Sequence, residues 1–500
     1  MTASARWPVA STGIAGLDDV LRGGLPRDRL YLIEGDPGVG KTTLALQFLA
    51  QGARQGERVL YITLSETEEE IRAVASSHGF ELTGIDLYEL SAAEQQLSFD
   101  QNTLFPASEV ELREITQTLL QQVERIQPNR VVFDSLSEIR LLSQDALRYR
   151  RQILALKQFF SGRRCTVLLL DDRTSGAHDQ QLQSLVHGVI ALEKLSPEYG
   201  GERRRVSITK LRGVQFRGGF HDYIIERGGL VVFPRLVAAE HRADITGEKI
   251  STGVAALDTL LGGGLTQGTS TLIMGPAGSG KSTVALQIVI AAAQRGERSH
   301  VYLFEESLRT VSDRTARLGI PVAPHLASGM IRITQVDPAE LAPGEFAHLV
   351  RAAVDDHDVK LIVIDGLNGY MNAMPEERFV TLHTRELLSF LNQRGVATVL
   401  VYSQHGLVGM MQQSVDISYL TDTVMVIRYF EAMGAVHKAL SVMKNRAASH
   451  ESTIREFSLG AGGLSVGAPL KDFQGVLSGT PRYVGPSSIL AKDGDEHHKS

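Results

Sequence analysis

The chain has 500 residues, of which 43% are hydrophobic and 22% are charged, and this is the composition of a globular protein large enough for two or three domains. Its 51 lysines and arginines are outnumbered by 57 acidic residues, so the formal net charge is −6 and the whole molecule lacks the cationic field that attracts nucleic acid. The single cysteine, Cys165, excludes an intramolecular disulfide and a cysteine-based zinc site. We interpret it as a small core residue.

Membrane-directing segments are not evident in the sequence. The first 13 residues lack the apolar stretch of a signal peptide. The longest apolar helical candidate, Thr283–Ala293, is far shorter than the roughly 20 residues that span a bilayer. We therefore expect a cytoplasmic protein without a membrane partner.

Short apolar runs in the first half of the chain alternate with longer helical patterns. The runs are Arg29–Ile33, Arg58–Thr63, Arg130–Phe133 and Cys165–Leu170. This alternation is typical of βαβ units. It predicts an α/β fold in which helices flank a mostly parallel sheet.

The second half of the sequence repeats the first. Ser11–Gly13 (STG) recurs as Ser251–Gly253, and Ala45–Gln47 (ALQ) recurs as Ala285–Gln287, so residue 251 follows residue 11 by the same 240 positions as residue 285 follows residue 45. A run of matches at one ungapped offset predicts a tandem duplication, with the polar stretch Leu236–Lys249 near the junction. The predicted parts are 1–240 as the first domain, 241–480 as the second domain and 481–500 as a short flexible tail.

Each copy contains a glycine-rich phosphate loop. Gly35–Thr42 (GDPGVGKT) and Gly275–Ser282 (GPAGSGKS) fit the pattern G-x-x-x-x-G-K-[ST], and each follows a strand and opens a helix. Such loops wrap backbone N–H groups around the phosphates of ATP, while the lysine reaches the β- and γ-phosphates and the hydroxyl binds Mg²⁺. The predicted nucleotide-binding residues of the loops are Gly35, Gly38, Val39, Gly40, Lys41, Thr42, Thr43, Gly275, Gly278, Ser279, Gly280, Lys281, Ser282 and Thr283.

Acidic residues that end later strands complete each predicted site. Asp134 and Asp365 each follow an apolar run, as the Walker-B carboxylate that acts on Mg²⁺ does. The strand after the first helix ends in glutamates, which are Glu66 in the first copy and Glu305 and Glu306 in the second. A carboxylate at this position can orient and deprotonate water. The predicted metal ligands are Thr42, Asp134, Ser282 and Asp365.

The order of these motifs resembles the KaiC family of duplicated RecA-type ATPases and autokinases, which includes circadian clock proteins. The shared features are the Ser-Thr-Gly opening, the phosphate loop, the glutamate-containing strand end and a later Lys-x-Arg, in both halves, from about Ser11 to about Tyr483. The resemblance implies two tandem RecA-like P-loop NTPase domains with mostly parallel twisted sheets. It also implies a homohexameric ring in which each ATP lies between neighbouring subunits.

The resemblance also implies roles for residues outside the phosphate loops. The family's Lys-x-Arg carries positive charge to the ATP of the adjacent subunit, where it stabilises the phosphoryl group in transfer. In this sequence it is matched by Lys210, Leu211 and Arg212, and by Lys444, Asn445 and Arg446. Ser418 falls on the family's phosphoacceptor serine, whereas Tyr419 replaces the neighbouring acceptor threonine. A serine autokinase activity of the second domain is the expectation.

Two other functions are compatible with the ATP-binding core. One is a RecA- or RadA-like DNA-dependent ATPase, although the sequence lacks the four cysteines of a RadA zinc element and a basic stretch with interleaved aromatic residues. We interpret Arg203–Arg205 as a solvated loop beside a subunit interface and expect no nucleic-acid partner. The other is a signalling ATPase without kinase activity, read by a signalling or clock partner protein.

Overall fold

The computed structural model describes most of the chain, which divides into two compact units. The described residues are 7–90, 107–143, 145–173, 182–196, 200–237, 247–372, 377–404, 417–461, 463–478 and 481–485. Unit 1 is Met1–Arg235 and unit 2 is Leu236–Ser500. Most of the predicted flexible tail, from residue 486 onward, lies outside the described residues.

Unit 1 alternates strands and helices along the chain, in agreement with the βαβ pattern. Its strands are β1 (Val9–Ala10), β2 (Leu25–Pro26), β3 (Leu30–Gly35), β4 (Val59–Thr63), β5 (Ile85–Glu89), β6 (Arg130–Asp134), β7 (Thr166–Asp172), β8 (Gly188–Leu195), β9 (Arg203–Leu211), β10 (Phe220–Glu226) and β11 (Gly229–Phe233). Its helices are α1 (Ala15–Val20), α2 (Lys41–Arg54), α3 (Glu68–Ser77), α4 (Ala107–Ile126), α5 (Leu136–Ser143) and α6 (Ala146–Phe160). In the described residues, a nine-stranded sheet has the order β11-β10-β9-β8-β3-β7-β6-β4-β5.

Unit 2 repeats this architecture. Its strands are β12 (Lys249–Ile250), β13 (Leu265–Thr266), β14 (Ser270–Gly275), β15 (Ser299–Leu303), β16 (Ile331–Gln335), β17 (Leu361–Asp365), β18 (Ala397–Ser403), β19 (Thr423–Ala432), β20 (Ala435–Asn445), β21 (Arg455–Gly460), β22 (Gly463–Pro469), β23 (Phe473–Gln474) and β24 (Arg482–Tyr483). Its helices are α7 (Ala255–Leu260), α8 (Lys281–Gln294), α9 (Leu308–Arg317), α10 (Val322–Ala327), α11 (Pro343–His357), α12 (Leu367–Asn372) and α13 (Glu377–Gln393). Its nine-stranded sheet within the described residues, β16-β15-β17-β18-β14-β19-β20-β21-β22, has the same topology as that of unit 1.

The central parallel strands of both large sheets are buried on both faces. In β6, Val132 belongs to one hydrophobic cluster, whereas Val131 and Phe133 belong to the cluster on the other face. Ile362–Ile364 in β17 divides between two clusters in the same way. Because successive side chains of a strand point to opposite faces, a strand covered on both faces is an unbroken apolar run. These runs are the signal from which the sequence predicted the strands.

The parallel strands bring residues that are distant in the sequence to one edge of each sheet. Strands β8, β3, β7, β6, β4 and β5 are parallel to one another. We call the edge where they end the carboxyl edge and the opposite edge the amino edge. At the carboxyl edge, Gly35 is in register with Asp172, and Thr63 with Asp134. Strands β14, β15, β17 and β18 have the same arrangement in unit 2.

The interpretation of Arg203–Arg205 as a solvated loop is wrong, because these residues begin β9. Arg205 Nε donates a hydrogen bond to Glu193 at 2.7 Å, and Arg204 lies 2.7 Å from Glu202. Glu193 and Arg205 are opposite each other on β8 and β9. Opposite charges facing each other across a strand pair stabilise the sheet, so consecutive arginines are compatible with a strand here.

Arg130, at the start of β6, is fully buried. Its guanidinium forms an ion pair with Glu57 through Nε, donates from NH1 to the carbonyls of Ser11 (2.7 Å) and Phe48 (2.8 Å), and donates from NH2 to Gln55 (3.0 Å). A buried charge is tolerated when its donors are satisfied in this way. Arg130 thus ties the start of the chain and α2 to the sheet of unit 1.

We expect Arg130→Ala to destabilise unit 1 by about 3–5 kcal/mol, the cost of removing one partner of a buried ion pair. Arg72→Ala is the matched control, because its pair with Glu68 is about half exposed and such pairs contribute about 0.5 kcal/mol. Hydrogen–deuterium exchange of the β6 amides measures unit 1 separately from unit 2. Equal protection in the two variants would contradict the prediction.

Candidate nucleotide sites

The first phosphate loop, Gly35–Thr42, joins β3 to α2 at the carboxyl edge of unit 1. Gly40 precedes α2 with a φ of 97°, and a Cβ atom there would lie 2.6 Å from Ile225 Cδ1. The left-handed backbone conformation therefore favours glycine, and a larger residue would also have to displace the end of the Ile225 side chain. The turn leaves the first N–H groups of α2, with their partial positive charge, at the end of the loop where an anion can bind.

A cleft of about 590 Å³ opens beside this loop, a volume typical of ligand pockets. It is lined by Pro37, Gly38, Gly40, Lys41, Thr42, Thr43, Ser65, Glu66, His78, Asp134, Ser135, Asp172, Arg204 and Ile225. Gly35 and Val39, also predicted for this site, are buried outside this lining. The fold therefore brings the loop, the strand-end carboxylates and Glu66 together in one cleft.

The polar groups at the centre of the cleft are held by short contacts. Lys41 Nζ donates to the Gly35 carbonyl at 2.8 Å and lies 2.8 Å from Asp172 Oδ1. Thr42 Oγ1 donates to Asp134 Oδ2 at 2.9 Å. A hydroxyl next to a carboxylate provides the hard oxygen ligands that Mg²⁺ prefers. These residues fit a phosphate chain with a bound magnesium ion.

Glu66 lies just beyond β4, where the Thr63 hydroxyl donates to its carbonyl oxygen at 2.6 Å and accepts from its N–H at 3.0 Å. Its Oε2 is buried and has no hydrogen-bond partner among the described residues. Burial raises the pKa of Glu66, and the nearby carboxylates of Asp134 and Glu70 raise it further. A free carboxylate with a raised pKa at the cleft is suited to accept a proton.

Two contacts of the first site were not predicted from the sequence. Tyr61 donates to Asp134 Oδ2 at 2.5 Å, and Asp172 pairs with the lysine of the loop. Asp172 had a usable signal, because it ends the apolar run TVLLLDD as Asp134 ends RVVFD. Tyr61 had none, since it meets Asp134 only through the pairing of β4 with β6. Burial raises the pKa of Asp134, and the hydrogen bond from Tyr61 opposes that rise.

The second phosphate loop, Gly275–Ser282, joins β14 to α8 with the same local geometry. Gly280 has a φ of 106°, and Gly278 has a φ of 73°. A Cβ atom at Gly280 would lie 2.6 Å from Leu459 Cδ1, and the left-handed backbone of Gly280 favours glycine here as in the first loop. The predicted residues Ser279 and Thr283 are buried.

The lysine and hydroxyl of the second loop have partners like those of the first. Lys281 Nζ donates to the Pro276 carbonyl at 2.8 Å, and Ser282 Oγ donates to Asp365 Oδ1 at 2.9 Å. Burial raises the pKa of Asp365 to about 6, against the opposing effect of the Ser282 hydrogen bond. The donor set again fits Mg²⁺. The position of Asp172 is occupied here by Ser403, which is in register with Gly275.

The two predicted glutamates of unit 2 differ in their surroundings. Glu305 packs against Gly366, where a Cβ atom would lie 2.9 Å from Glu305 Cγ. Glu306 accepts hydrogen bonds from Arg314 NH1 through both carboxylate oxygens, at 2.6 and 2.7 Å. The carboxylate of Glu306 is therefore engaged in an ion pair, unlike that of Glu66.

The first Lys-x-Arg motif contacts the segment that precedes β8. Lys210 Nζ donates to the carbonyls of Gln183 at 2.6 Å and Val186 at 2.9 Å. Arg212 NH2 donates to the Ser184 carbonyl at 3.0 Å. A register irregularity between β8 and β9 lies next to this lysine, and such bulges redirect side chains.

The second Lys-x-Arg motif makes equivalent contacts with the segment that contains the predicted phosphoacceptor. Lys444 Nζ donates to the carbonyls of Ser418 at 2.8 Å and Thr421 at 2.6 Å. Asn445 Nδ2 and the Arg446 N–H each donate to a backbone carbonyl, at 3.1 and 2.9 Å. Ser418 begins a single 3₁₀ turn, Ser418–Leu420, just before β19.

Both motifs lie at the amino edge of their sheets. Leu211 is in register with Gly188, and Gly188 with Tyr31, the second residue of β3. In unit 2, Lys444 is in register with Val424 of β19, and Val424 with Leu272, the third residue of β14. Since a strand rises about 3.3 Å per residue, roughly 13 Å of β3 separates Tyr31 from the phosphate loop. Each motif is therefore at the opposite edge from the phosphate loop of its own unit.

None of the helices in the described part of the chain is both long enough and apolar enough to cross a bilayer.

The fold and the sites together define a class of protein. Each unit has a mostly parallel sheet flanked by helices, a phosphate loop and a strand-end aspartate bonded to the loop hydroxyl. This is the arrangement of a P-loop ATPase, present twice in one chain. The predicted α/β fold with two RecA-like domains is confirmed.

Comparison with known proteins identifies the family. The family model described as "ATPase: KaiC" matches residues 10–237 and 250–471, so the chain belongs to the KaiC ATPase family, and the resemblance inferred from the motifs is confirmed. Among its relatives, the circadian clock protein KaiC3 of Synechocystis sp. is 26% identical and covers 96% of this chain and 95% of its own length. The circadian clock oscillator protein KaiC of Acaryochloris marina is 25% identical, covering 95% and 91%, and that of Thermostichus vulcanus is 26% identical, covering 95% and 92%.

Proposed function

We propose that this protein hydrolyses Mg·ATP at both phosphate loops, between neighbouring subunits of a homohexameric ring. The observation that carries this proposal is the location of the two Lys-x-Arg motifs at the edge opposite to their own phosphate loops. A cation at the amino edge of one subunit can contact the γ-phosphate of a neighbour when the subunits are arranged head to tail around a ring. Lys210 and Arg212 serve the first site in this way, and Lys444 and Arg446 the second.

The phosphate-loop residues would hold the nucleotide and the metal. Thr42 with Asp134, and Ser282 with Asp365, would hold Mg²⁺ through oxygen atoms that already lie 2.9 Å apart. The ion neutralises charge on the β- and γ-phosphate oxygens when it is bound. Lys41, now held by Asp172 at 2.8 Å, is positioned to exchange that partner for a phosphate oxygen, and charge-assisted hydrogen bonds of this kind are strong.

Hydrolysis at the first site uses Glu66 as the base. Its unpartnered Oε2 accepts a proton from water as the water oxygen bonds to the γ-phosphorus. The bond from that phosphorus to the β–γ bridging oxygen breaks, and ADP and phosphate are released. In the second site, Glu305 and Glu306 lie at the corresponding strand end and supply the equivalent carboxylates.

Mixing subunits tests whether the cation acts between neighbours. Glu66→Gln removes the base and Arg212→Ala removes the cation, both in a background with Glu305→Gln and Glu306→Gln to silence the second site. Each variant alone should turn over ATP slowly, whereas an equimolar mixture should recover about a quarter of the parent rate, since one interface in four pairs an intact base with an intact cation. No recovery, with subunit exchange verified, would mean that Arg212 acts within its own subunit.

Light scattering with saturating Mg·ATP checks the ring itself. We expect a mass near six times the 54.5 kDa of one chain. A monomer under these conditions would rule out the interfacial sites.

A turnover assay with single-stranded DNA tests the DNA-dependent alternative. Added DNA should leave the rate of ATP hydrolysis unchanged. Stimulation by DNA would favour the DNA-dependent alternative.

We also propose that Ser418 accepts the γ-phosphate of ATP held at the second site of a neighbouring subunit. Support comes from its position at the amino edge, next to Lys444, whose Nζ bonds to the Ser418 carbonyl. The Ser418 oxygen would attack the γ-phosphorus, Glu305 would accept the hydroxyl proton, and ADP would leave. Such a transfer needs alignment and charge stabilisation more than elaborate chemistry.

Phosphopeptide mass spectrometry after incubation with Mg·ATP tests this assignment. The wild type should carry phosphate at Ser418, and Ser418→Ala and Glu305→Gln should not. Tyr419→Phe is the matched control, because it removes the adjacent exposed phenol and should retain the phosphate. An unmodified wild type that hydrolyses ATP would leave a ring ATPase without kinase activity. A clock role like that named for the relatives would then require this protein to signal its nucleotide state to a partner protein without phosphorylation.

A further inference from the structure

Helix α9, which follows Glu305 and Glu306, carries an arginine, Arg314, that contacts Glu306. Ser307 caps α9, with its hydroxyl accepting from the Thr310 N–H at 3.2 Å. Arg314 lies two turns into this helix. Side chains on a helix point back toward its N-terminus, and arginine is long enough to span those turns. The guanidinium of Arg314 therefore reaches Glu306, which immediately precedes the cap.

The resulting ion pair engages the whole carboxylate. Arg314 NH1 lies 2.6 Å from one oxygen of Glu306 and 2.7 Å from the other. The two side chains are 23% and 32% exposed, respectively. Arg314 Nε and NH2 are buried without a hydrogen-bond partner among the described residues. Glu306 is thus the group that holds this guanidinium beside the second site.

The first copy lacks this cation. At the offset of 240 that relates the copies, Glu306 corresponds to Glu66, and Arg314 corresponds to Val74. Val74 is half-buried and packs against the hydrophobic core of unit 1. Glu66 consequently keeps one buried oxygen without a partner. The two sites share their fold and loop geometry but differ in the charge that faces this glutamate.

We propose that Arg314 is a positioning residue that restrains Glu306 and slows ATP hydrolysis at the second site. This inference rests on the proposed function, in which both sites hydrolyse ATP. A base must direct a free lone pair at the attacking water, and a carboxylate bound through both oxygens to a guanidinium has to leave that pair first. Because the pair is partly exposed and its net strength is modest, we expect it to slow turnover about fivefold.

The test uses a Lys41→Ala background, so that only the second site turns over. Arg314→Val, which installs the residue of the first copy, should raise kcat about fivefold and leave the KM for ATP unchanged. Arg314→Lys keeps a cation and should stay near the parent rate. Arg317→Val is the control, because Arg317 is exposed on the same helix and donates only to the Asp313 carbonyl among the described residues. It should change nothing.

The reciprocal change adds a second readout. Val74→Arg in a Lys281→Ala background should slow the first site severalfold. If Arg314→Val leaves kcat unchanged or lowers it while the Lys41→Ala parent still hydrolyses ATP, the restraint is refuted and the two-site ATPase stands. If neither the parent nor Arg314→Val hydrolyses ATP, both the second-site ATPase and the restraint fail. Hydrolysis that appears only in Arg314→Val supports the restraint in its strongest form.

Discussion

Replacing Lys41 with alanine is expected to lower kcat/KM at the first site by at least about 100-fold, because the lysine supplies positive charge to the phosphate in transfer. The same change also leaves Asp172, now 2.8 Å from the Lys41 Nζ, as an unpaired anion facing the phosphates. Lys281 is held by a backbone carbonyl, that of Pro276. The loss of nucleotide affinity should therefore be larger for Lys41→Ala than for Lys281→Ala.

Nucleotide binding to each site, measured by titration with a fluorescent ATP analogue, and steady-state turnover check this prediction. Each variant should lose its own site and retain binding at the other. Arg54→Ala is the matched control, since Arg54 is exposed at the far end of α2 and bonds only to the Ala50 carbonyl among the described residues. Loss of both sites in either single variant would show that the two loops are not independent.

Glu66→Gln should remove most hydrolysis from the first site while ATP still binds. The amide keeps the shape of the side chain but cannot accept a proton, and loss of a general base lowers rates by about 100-fold or more. The turn itself should survive, because Thr63 bonds to the backbone of residue 66 and not to its side chain. Ser65, in the position equivalent to Glu305, has no carboxylate to substitute as the base.

Turnover of Glu66→Gln in a Lys281→Ala background measures the first site alone. Glu69→Gln is the control, because Glu69 is exposed on α3, one turn away. A rate for Glu66→Gln equal to that of the control would defeat the assignment of Glu66 as the base. A loss of ATP affinity in parallel with the rate would instead indicate a role in binding.

Local sequence patterns were sufficient for the phosphate loops and the strand-end aspartates. Each loop is a continuous segment, so the glycines, Lys41 and Thr42 are already adjacent in the chain. That Thr42 and Asp134 lie close together was also predictable, although the hydrogen bond between them was not. Once a βαβ pattern indicates a parallel sheet, strand ends meet at one edge, and an aspartate after an apolar run has to lie near the loop.

Contacts that depend on side-chain direction or on strand register were not predictable in this way. Arg203–Arg205 has the composition of a surface loop but lies in β9, where Arg205 is opposite Glu193 on β8. Arg314 is eight residues from Glu306, but whether its guanidinium points back to that carboxylate depends on the helix start and the rotamer. Local composition contains neither piece of information.

By itself, then, the sequence determined the duplication, the parallel α/β architecture and the two ATP-binding loops, because these follow from periodicity and from residues close together in the chain. Only the tertiary structure decided which edge of the sheet carries each Lys-x-Arg motif, that Tyr61 belongs to the first site, and that Arg314 distinguishes the second. These features depend on strand order and packing, which bring together residues that are far apart in the chain. The separation of two residues in the sequence does not give their distance in space.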